Sequence, residues 1–386
     1  MNHVGAARTL NPTAARAAIA AVTAKRGCSG GASSAAINCA IAAGATIQTF
    51  AQAGLDSGIT YLGGEPASAN GLTVATGAAF PGVNPLLGQG NFILPIGKTG
   101  YDALQVVLRQ MKSHPVAFVD SANVQISYNL SRIVANNTGG AGGSTSDAFF
   151  NSLSFDNDNP SAFVGRAGLD HKHQVSFGGS FRLKYGPQIG AVGHFYSAAP
   201  ADLTLTSGLT AGTIFQTDVT GDGTTGDIAP GTLPGDYMHR VKPGTLGTYI
   251  QNFNSTVAGN LTPAGQALVN AGLFTASQLA AVGGVIQPIP QLTTPRAIGN
   301  PSVRDLDLNF SYPVRLNRFH EGMSLEPAIA FYNVGNFSNF KPLAGTLDGG
   351  SGSVNGPNTP VNFTRGASFA VTAPSIRTHP APPSSS

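Results

Sequence analysis

Tryptophan is absent from this 386-residue chain, cysteine occurs twice, and charged residues make up only 10% of it. Soluble domains carry about 25% charged residues, so little here serves an ordinary wet surface. The formal net charge of +3 is small and scattered, which excludes the basic stripe of a nucleic-acid-binding protein. No run reaches the ~18 apolar residues that a membrane-spanning helix requires. There is no G-x-S-x-G, no Walker loop and no Ser/His/Asp set spaced to name a triad, so the chain reads as a non-enzyme. The opening "MNHVGAARTLNPTAARAAIAAVTAKRG" does not make an export signal: its apolar run Ala17–Val22 is short, and Pro12 and arginines interrupt the lead-in.

What the chain has is glycine, proline and a period of two. Gly numbers 50, Pro 26, Phe 21 and Tyr 9. "VQISYNLSR", Val124 to Arg132, places Val124, Ile126, Tyr128 and Leu130 on one side and Gln125, Ser127, Asn129 and Ser131 on the other. That is the period of a strand. The same alternation runs through "YDALQVVLR", "HQVSFGGSFRLKYG", "IGAVGHFYSA" and "VRDLDLNFSYPVRL", and more weakly through "MSLEPAIAFYNV" and "VNFTRGASFAV". Ala-rich stretches in residues 1–90 read as short helices, as do "TPAGQALVNAG" and "TASQLAAVGG". Thr262 and Pro263 mark the start of one helix, and Thr275 with Gln278 forms a capping box for the next.

Connections alternate in length: short at 110–115, long at 136–170, short at 186–188, long at 200–302, short at 317–322 and long at 335–360. Compact soluble domains rarely keep structureless connections beyond about 12–15 residues. Outer-membrane barrels show this asymmetry, with strands apolar toward lipid and polar toward the lumen. The expected fold is therefore all-β: an antiparallel partial transmembrane β-barrel of about seven strands, with long loops that contain short helices. Residues 1–100 read as an N-terminal loop region with Ala-rich helices, 101–372 as the partial barrel, and 373–386 as a Pro/Ser-rich tail. A soluble or secreted β-rich adhesin or binding domain is the alternative.

Few residues suggest chemistry. "DVTGDGTTGD" sets Asp218, Thr220 and Asp222 at the alternate spacing of a calcium loop, with Asp227 as a further oxygen donor. The twelfth position is Ala229 rather than Glu, and the competing reading is a polar loop held by Asx-turns. "DHKH" places His171 and His173 two apart, with His194 on the neighbouring strand, a weak zinc pattern. "DNDNP", Asp156 to Pro160, reads as a solvated turn, and Asp305 with Asp307 as polar lining. Cys28 and Cys39 form either a local disulfide or a pair of buried thiols.

"YDALQVVLRQ", "LDHKHQVSFGGSFRL", "TDVTGDGTTGD", "LTPAGQALVNAGLFTASQLAAVGGV", "DLDLNFSYPV" and "LEPAIAFYNVGNFSNF" together resemble the C-terminal half of TonB-dependent outer-membrane receptors, of the Oar-like type with a carboxypeptidase-regulatory-like domain. "FYNVGNFSNF", Phe331 to Phe340, carries most of the resemblance: an aromatic followed by N-x-x-N-x-x-N-F. The resemblance implies a plugged barrel of about 22 strands. It also implies location in the cell outer membrane, contact with its lipid and with the barrel-assembly machinery, and surface binding and uptake of an extracellular substrate. Coupling to TonB would pass through a part that this chain lacks. The chain then reads as a receptor fragment. Its ending "TAPSIRTHPAPPSSS" departs from the terminal aromatic strand of that family.

Overall fold

A computed structural model describes residues 9–56, 78–81, 97–136, 156, 158–159, 161–205, 211–289, 302–316, 321, 323–339 and 347. Strands and helices segregate. β1 (Thr99–Val116), β2 (Val119–Ala135), β4 (His173–Leu183), β5 (Gln188–Tyr196), β6 (Val303–Ser311) and β9 (Ala328–Phe331) form one antiparallel sheet in that order. The short β3 (Gly165–Arg166) pairs with the end of β2 and makes seven strands. β7 (Val314–Arg315) and β8 (Ser324–Leu325) form a separate two-stranded ribbon. Among the described residues the sheet is open, with β1 and β9 as its edges, so no closed barrel is present.

The first turn lies two residues long at Ala117 and Phe118, not at 110–115. The expected link "QMKSHP" continues the strand instead. Pro115 is tolerated because it lies beyond the regular ladder, which ends at Ser113↔Ser121 before a register shift. The weak strand expected at 361–371 and the tail 373–386 lie outside the described residues.

The ladder brings all the close connections to one end of the sheet: 117–118, 184–187 and the 312–327 segment. The connections 136–172 and 197–302 leave from the other end. There the chain builds a helical body. α1 (Pro12–Lys25), α2 (Ser34–Ala42) and α3 (Ile47–Phe50) pack with α5 (Pro263–Asn270) and α6 (Ala276–Ala281) around Ile19, Ile37, Phe50, Phe80, Phe215, Leu268 and Leu279. α4 (Pro243–Thr256) seals a second core with Leu203, Tyr237, Leu246, Ile250 and Phe253. Thr262 caps α5 and the Thr275–Gln278 box caps α6, as their sequences require. The buried Gln278 amide also donates to Ser34 Oγ at 2.9 Å and Asn38 Oδ1 at 2.8 Å, tying α6 to α2. The described helices of the 1–100 segment thus share a core with the 200–302 connection.

β3 joins the body to the sheet. The Arg166 N–H donates to Pro234 O at 2.9 Å. Gly165 lies so close to Pro234 that a Cβ would collide with its carbonyl. Asp170, buried, accepts from Ile133 N–H at 2.9 Å and pairs with Arg166 at 2.6 Å, pinning the end of β2.

Candidate functional site

The sheet has two unlike faces. One carries cross-strand rows such as Val106–Tyr128–Val175–Phe195 and Leu108–Ile126–Phe177–Gly193–Leu306, and extends to Phe310, Ile329 and Phe331. These side chains are not sealed. Leu108 is 60% exposed, Phe177 40%, Phe310 40% and Ile329 62%. Among the described residues, neither buried core contains a residue of the sheet. A soluble sandwich would cover this face with a second layer. Here each half-exposed Leu, Ile or Phe forgoes roughly 1 kcal/mol of the 1.5–3 kcal/mol that full burial provides.

The opposite face is polar: Gln105–Asn129–Gln174, Ser127–Ser176–His194–Asp305 and Asn123–Ser180–Gly190–Asn309 lie in cross-strand rows. A depression of about 380 Å³ opens on it, bordered by Asn123, Gln125, Ser127, Ser176, Ser180 and His194. Gly178 makes the space, since a Cβ there would meet nothing within 4 Å. The expected lining residues Asp305 and Asp307 lie on β6, opposite His194 and Val192 of β5.

The carboxylates of "DVTGDGTTGD" converge beside the second core. Asp218, Asp222 and Asp227 are all buried, and one oxygen from each lies within 4.8 Å of the others. The loop closes because Gly221 (φ 79°) and Gly223 (φ 84°) take left-handed conformations open to glycine. Their N–H groups then donate to Asp218, at 2.6 and 3.0 Å. Thr224 gives its N–H and hydroxyl to Asp222 Oδ1, at 2.8 and 2.7 Å. Thr220 enters through its backbone, whose N–H donates to Asp227 Oδ2 at 2.8 Å. Burial, then the charges of Asp227 and Asp222, hold Asp218 well above the usual carboxylate range. Burial chiefly pushes Asp227 up to about 7, with the N–H of Thr220 pulling the other way. A hard cation sits about 2.4 Å from each oxygen ligand, so oxygens within this span fit around one ion. Without a cation, the repulsion is relieved by protons. Ala229, at the twelfth position, faces the apolar core and supplies no ligand.

The histidines are distributed rather than gathered. His173 Nδ1 meets the Tyr128 hydroxyl at 2.9 Å, His194 Nδ1 meets Ser176 Oγ at 3.0 Å, and His171 contacts Ser197 O. His194 stacks on Tyr196. Among the described residues the Asp cluster is the only metal-compatible group, so the zinc pattern is not assembled. Asp156 accepts from the Asp158 and Asn159 N–H groups in an Asx-turn, as a solvated turn would. Cys28 and Cys39 are bonded to each other, with Cα atoms 5.9 Å apart, and link the end of α1 to α2.

The asparagines of "FYNVGNFSNF" have a structural role that spacing alone does not reveal. Asn333 N–H donates to Asp307 Oδ1 at 2.8 Å, and its side chain brackets Phe337 N–H and C=O. Asn339 receives the Arg304 N–H at 3.0 Å and donates to the Arg304 carbonyl at 2.8 Å. A side-chain amide therefore continues the ladder where the four residues of β9 stop. Comparison with protein-family models, with curated proteins and with solved structures finds no match.

Proposed function

We propose that this chain is a wall-and-loop portion of a TonB-dependent outer-membrane receptor, its sheet lying in lipid and its helical body standing at the end where substrate arrives. The observation that carries this reading is the apolar face left unsealed, with exposed side chains such as Leu108, Ile126, Phe177, Phe195 and Phe310 on each of its long strands, while the same chain buries two cores elsewhere. Three further features support it. β4, β5 and β6 have 11, 9 and 9 residues, the length that crosses a bilayer when tilted. Close turns gather at one end and long connections at the other. The asparagine series of the family resemblance locks the last described strand to its neighbour.

On this reading the polar face borders a water-filled lumen and the long connections contact the extracellular substrate. The chemistry is binding and passage, without catalysis. The seven strands of the described sheet are fewer than the about eight of the smallest bacterial barrels, so the wall needs backbone from beyond this sheet at its edges. TonB contact belongs to the parent receptor rather than to this sheet. The test is refolding of the urea-unfolded chain into lipid vesicles. Expected are vesicle-bound protein, heat-modifiable gel mobility and protease protection of the strands. A monodisperse protein that folds fully in buffer without lipid or detergent overturns the reading. The second reading, a soluble β-rich binding domain, draws on the helical body, whose two cores need no lipid.

A further inference from the structure

We propose that β1 is a self-complementary edge on which a second copy of this chain pairs, antiparallel, about Val107. β1 is the longest strand, and nothing among the described residues pairs with its outer side. Every residue of it except Pro115 is exposed. A long, regular edge with apolar side chains is a template for another strand.

The sequence of β1 selects both partner and register. Two copies related by a two-fold axis normal to the sheet keep their apolar faces on one side. Directly opposed residues must then share a face, so their numbers have the same parity. The charges of the regular run are Asp102, Arg109 and Lys112. Parity forbids Asp102 opposite Arg109 and permits Asp102 opposite Lys112. That pairing occurs twice by symmetry and places Val107 opposite itself. Gln105 then opposes Arg109, Val106 opposes Leu108, and the 82%-exposed Met111 opposes Ala103. The ladder runs from Tyr101 to Ser113, stopping where the β1–β2 register shifts. An axis at Arg109 would set that charge against itself, and one at Leu108 would set Lys112 against Leu104. The apolar rows of the two sheets become continuous across the join. The pairing holds whether that face meets lipid or a different apolar medium, so it does not rest on the membrane reading.

The test is cysteine crosslinking of the purified full chain, in the detergent or buffer that keeps it folded. Its own cysteines are tied to each other, so an introduced thiol is the only free one among the described residues. Val107→Cys alone is expected to give a crosslinked dimer. Gln105→Cys alone should stay monomeric on a non-reducing gel, and Gln105→Cys mixed with Arg109→Cys should crosslink. Lys112→Glu, an exposed change, should weaken dimerisation roughly tenfold, and Lys112→Arg should retain it. Light scattering of the unmodified chain should give twice the chain mass. A monomer overturns the proposal, including one whose β1 amides resist exchange because a segment of the same chain covers them. Equal crosslinking at all three positions also overturns it, as random collision.

Discussion

Raising the pH should weaken the helical body, and Asp227 should account for much of the effect. Its carboxyl is pushed from 3.8 up to about 7 in the folded chain, chiefly by burial. In the unfolded chain it is already ionised at pH 5. Between about pH 4 and 7 the folded state therefore holds an extra proton. By linkage, stability is greatest at low pH and falls as pH rises toward 7, then levels off. Each unit is about 1.4 kcal/mol, so the interval from pH 5 to 8 costs about 2–3 kcal/mol for this group alone. For a body of this size that is a fall of roughly 5–10 °C in melting temperature. The assay is thermal unfolding followed at 222 nm in a chelating buffer, where the signal comes from the helices. Asp227→Asn keeps an oxygen for the Thr220 N–H and removes the titration. Its profile should be flatter and its midpoint higher at pH 8, with the residual slope due to Asp218. Wild-type stability that rises from pH 5 to 7, or an unchanged slope in Asp227→Asn, would refute the reasoning.

Millimolar calcium at pH 8 should raise the wild-type midpoint and leave Asp227→Asn nearly unmoved, as binding to the folded state alone requires; equal shifts in both would point away from the carboxylate cluster. Replacing Cys28 and Cys39 with alanine should cost about 3 kcal/mol in denaturant melts, the chain-entropy value for a short loop of this separation. Phe177→Arg, on the apolar face, should lower refolding yield into vesicles by an amount equivalent to about 2–4 kcal/mol, whereas Gln125→Arg on the polar face should not. Asn339→Ala should free the Arg304 N–H and C=O, costing about 1–2 kcal/mol and raising amide exchange at the start of β6.

Strand period was legible because it is local. The expected "HQVSFGGSFRLKYG" starts where β4 does and overruns its end at Leu183 by three residues, and Val124 to Arg132 lies within β2. The caps at Thr262 and Thr275 were legible for the same reason. α4 went unread although Leu246, Ile250 and Phe253 recur at helical spacing; its glycines and β-branched residues hide the pattern. The assembly of the body was not legible at all. Gln278 reaches Asn38 across some 240 residues of chain, and no spacing rule reports a contact of that separation. The acidic spacing pointed to Asp218, Asp222 and Asp227 but not to their depth, which the fold around Tyr237 and Leu203 decides. The weak zinc pattern of DHKH does not assemble because His171 precedes β4 and so lies outside its period of two. The true anchor in that segment is Asp170, whose partner Arg166 lies four residues back and is invisible to a search for metal ligands.

The division of apolar residues between body and sheet decides how each half can be stabilised. The body places its large side chains in two sealed clusters and gains its hydrophobic free energy from its own chain. The sheet gains its ladder hydrogen bonds and cross-strand contacts but leaves one whole face unsealed. Its edge on β1 is equally open among the described residues. A bare face and a bare edge make different demands. Acyl chains satisfy the first, because they accept apolar side chains and offer no hydrogen bonds. For that same reason they cannot satisfy the second, where each unpaired backbone group costs several kcal/mol in hydrocarbon. Lipid on the face therefore requires a strand on the edge. The two proposals are tested separately, yet if the sheet enters a bilayer, β1 must be covered there by backbone.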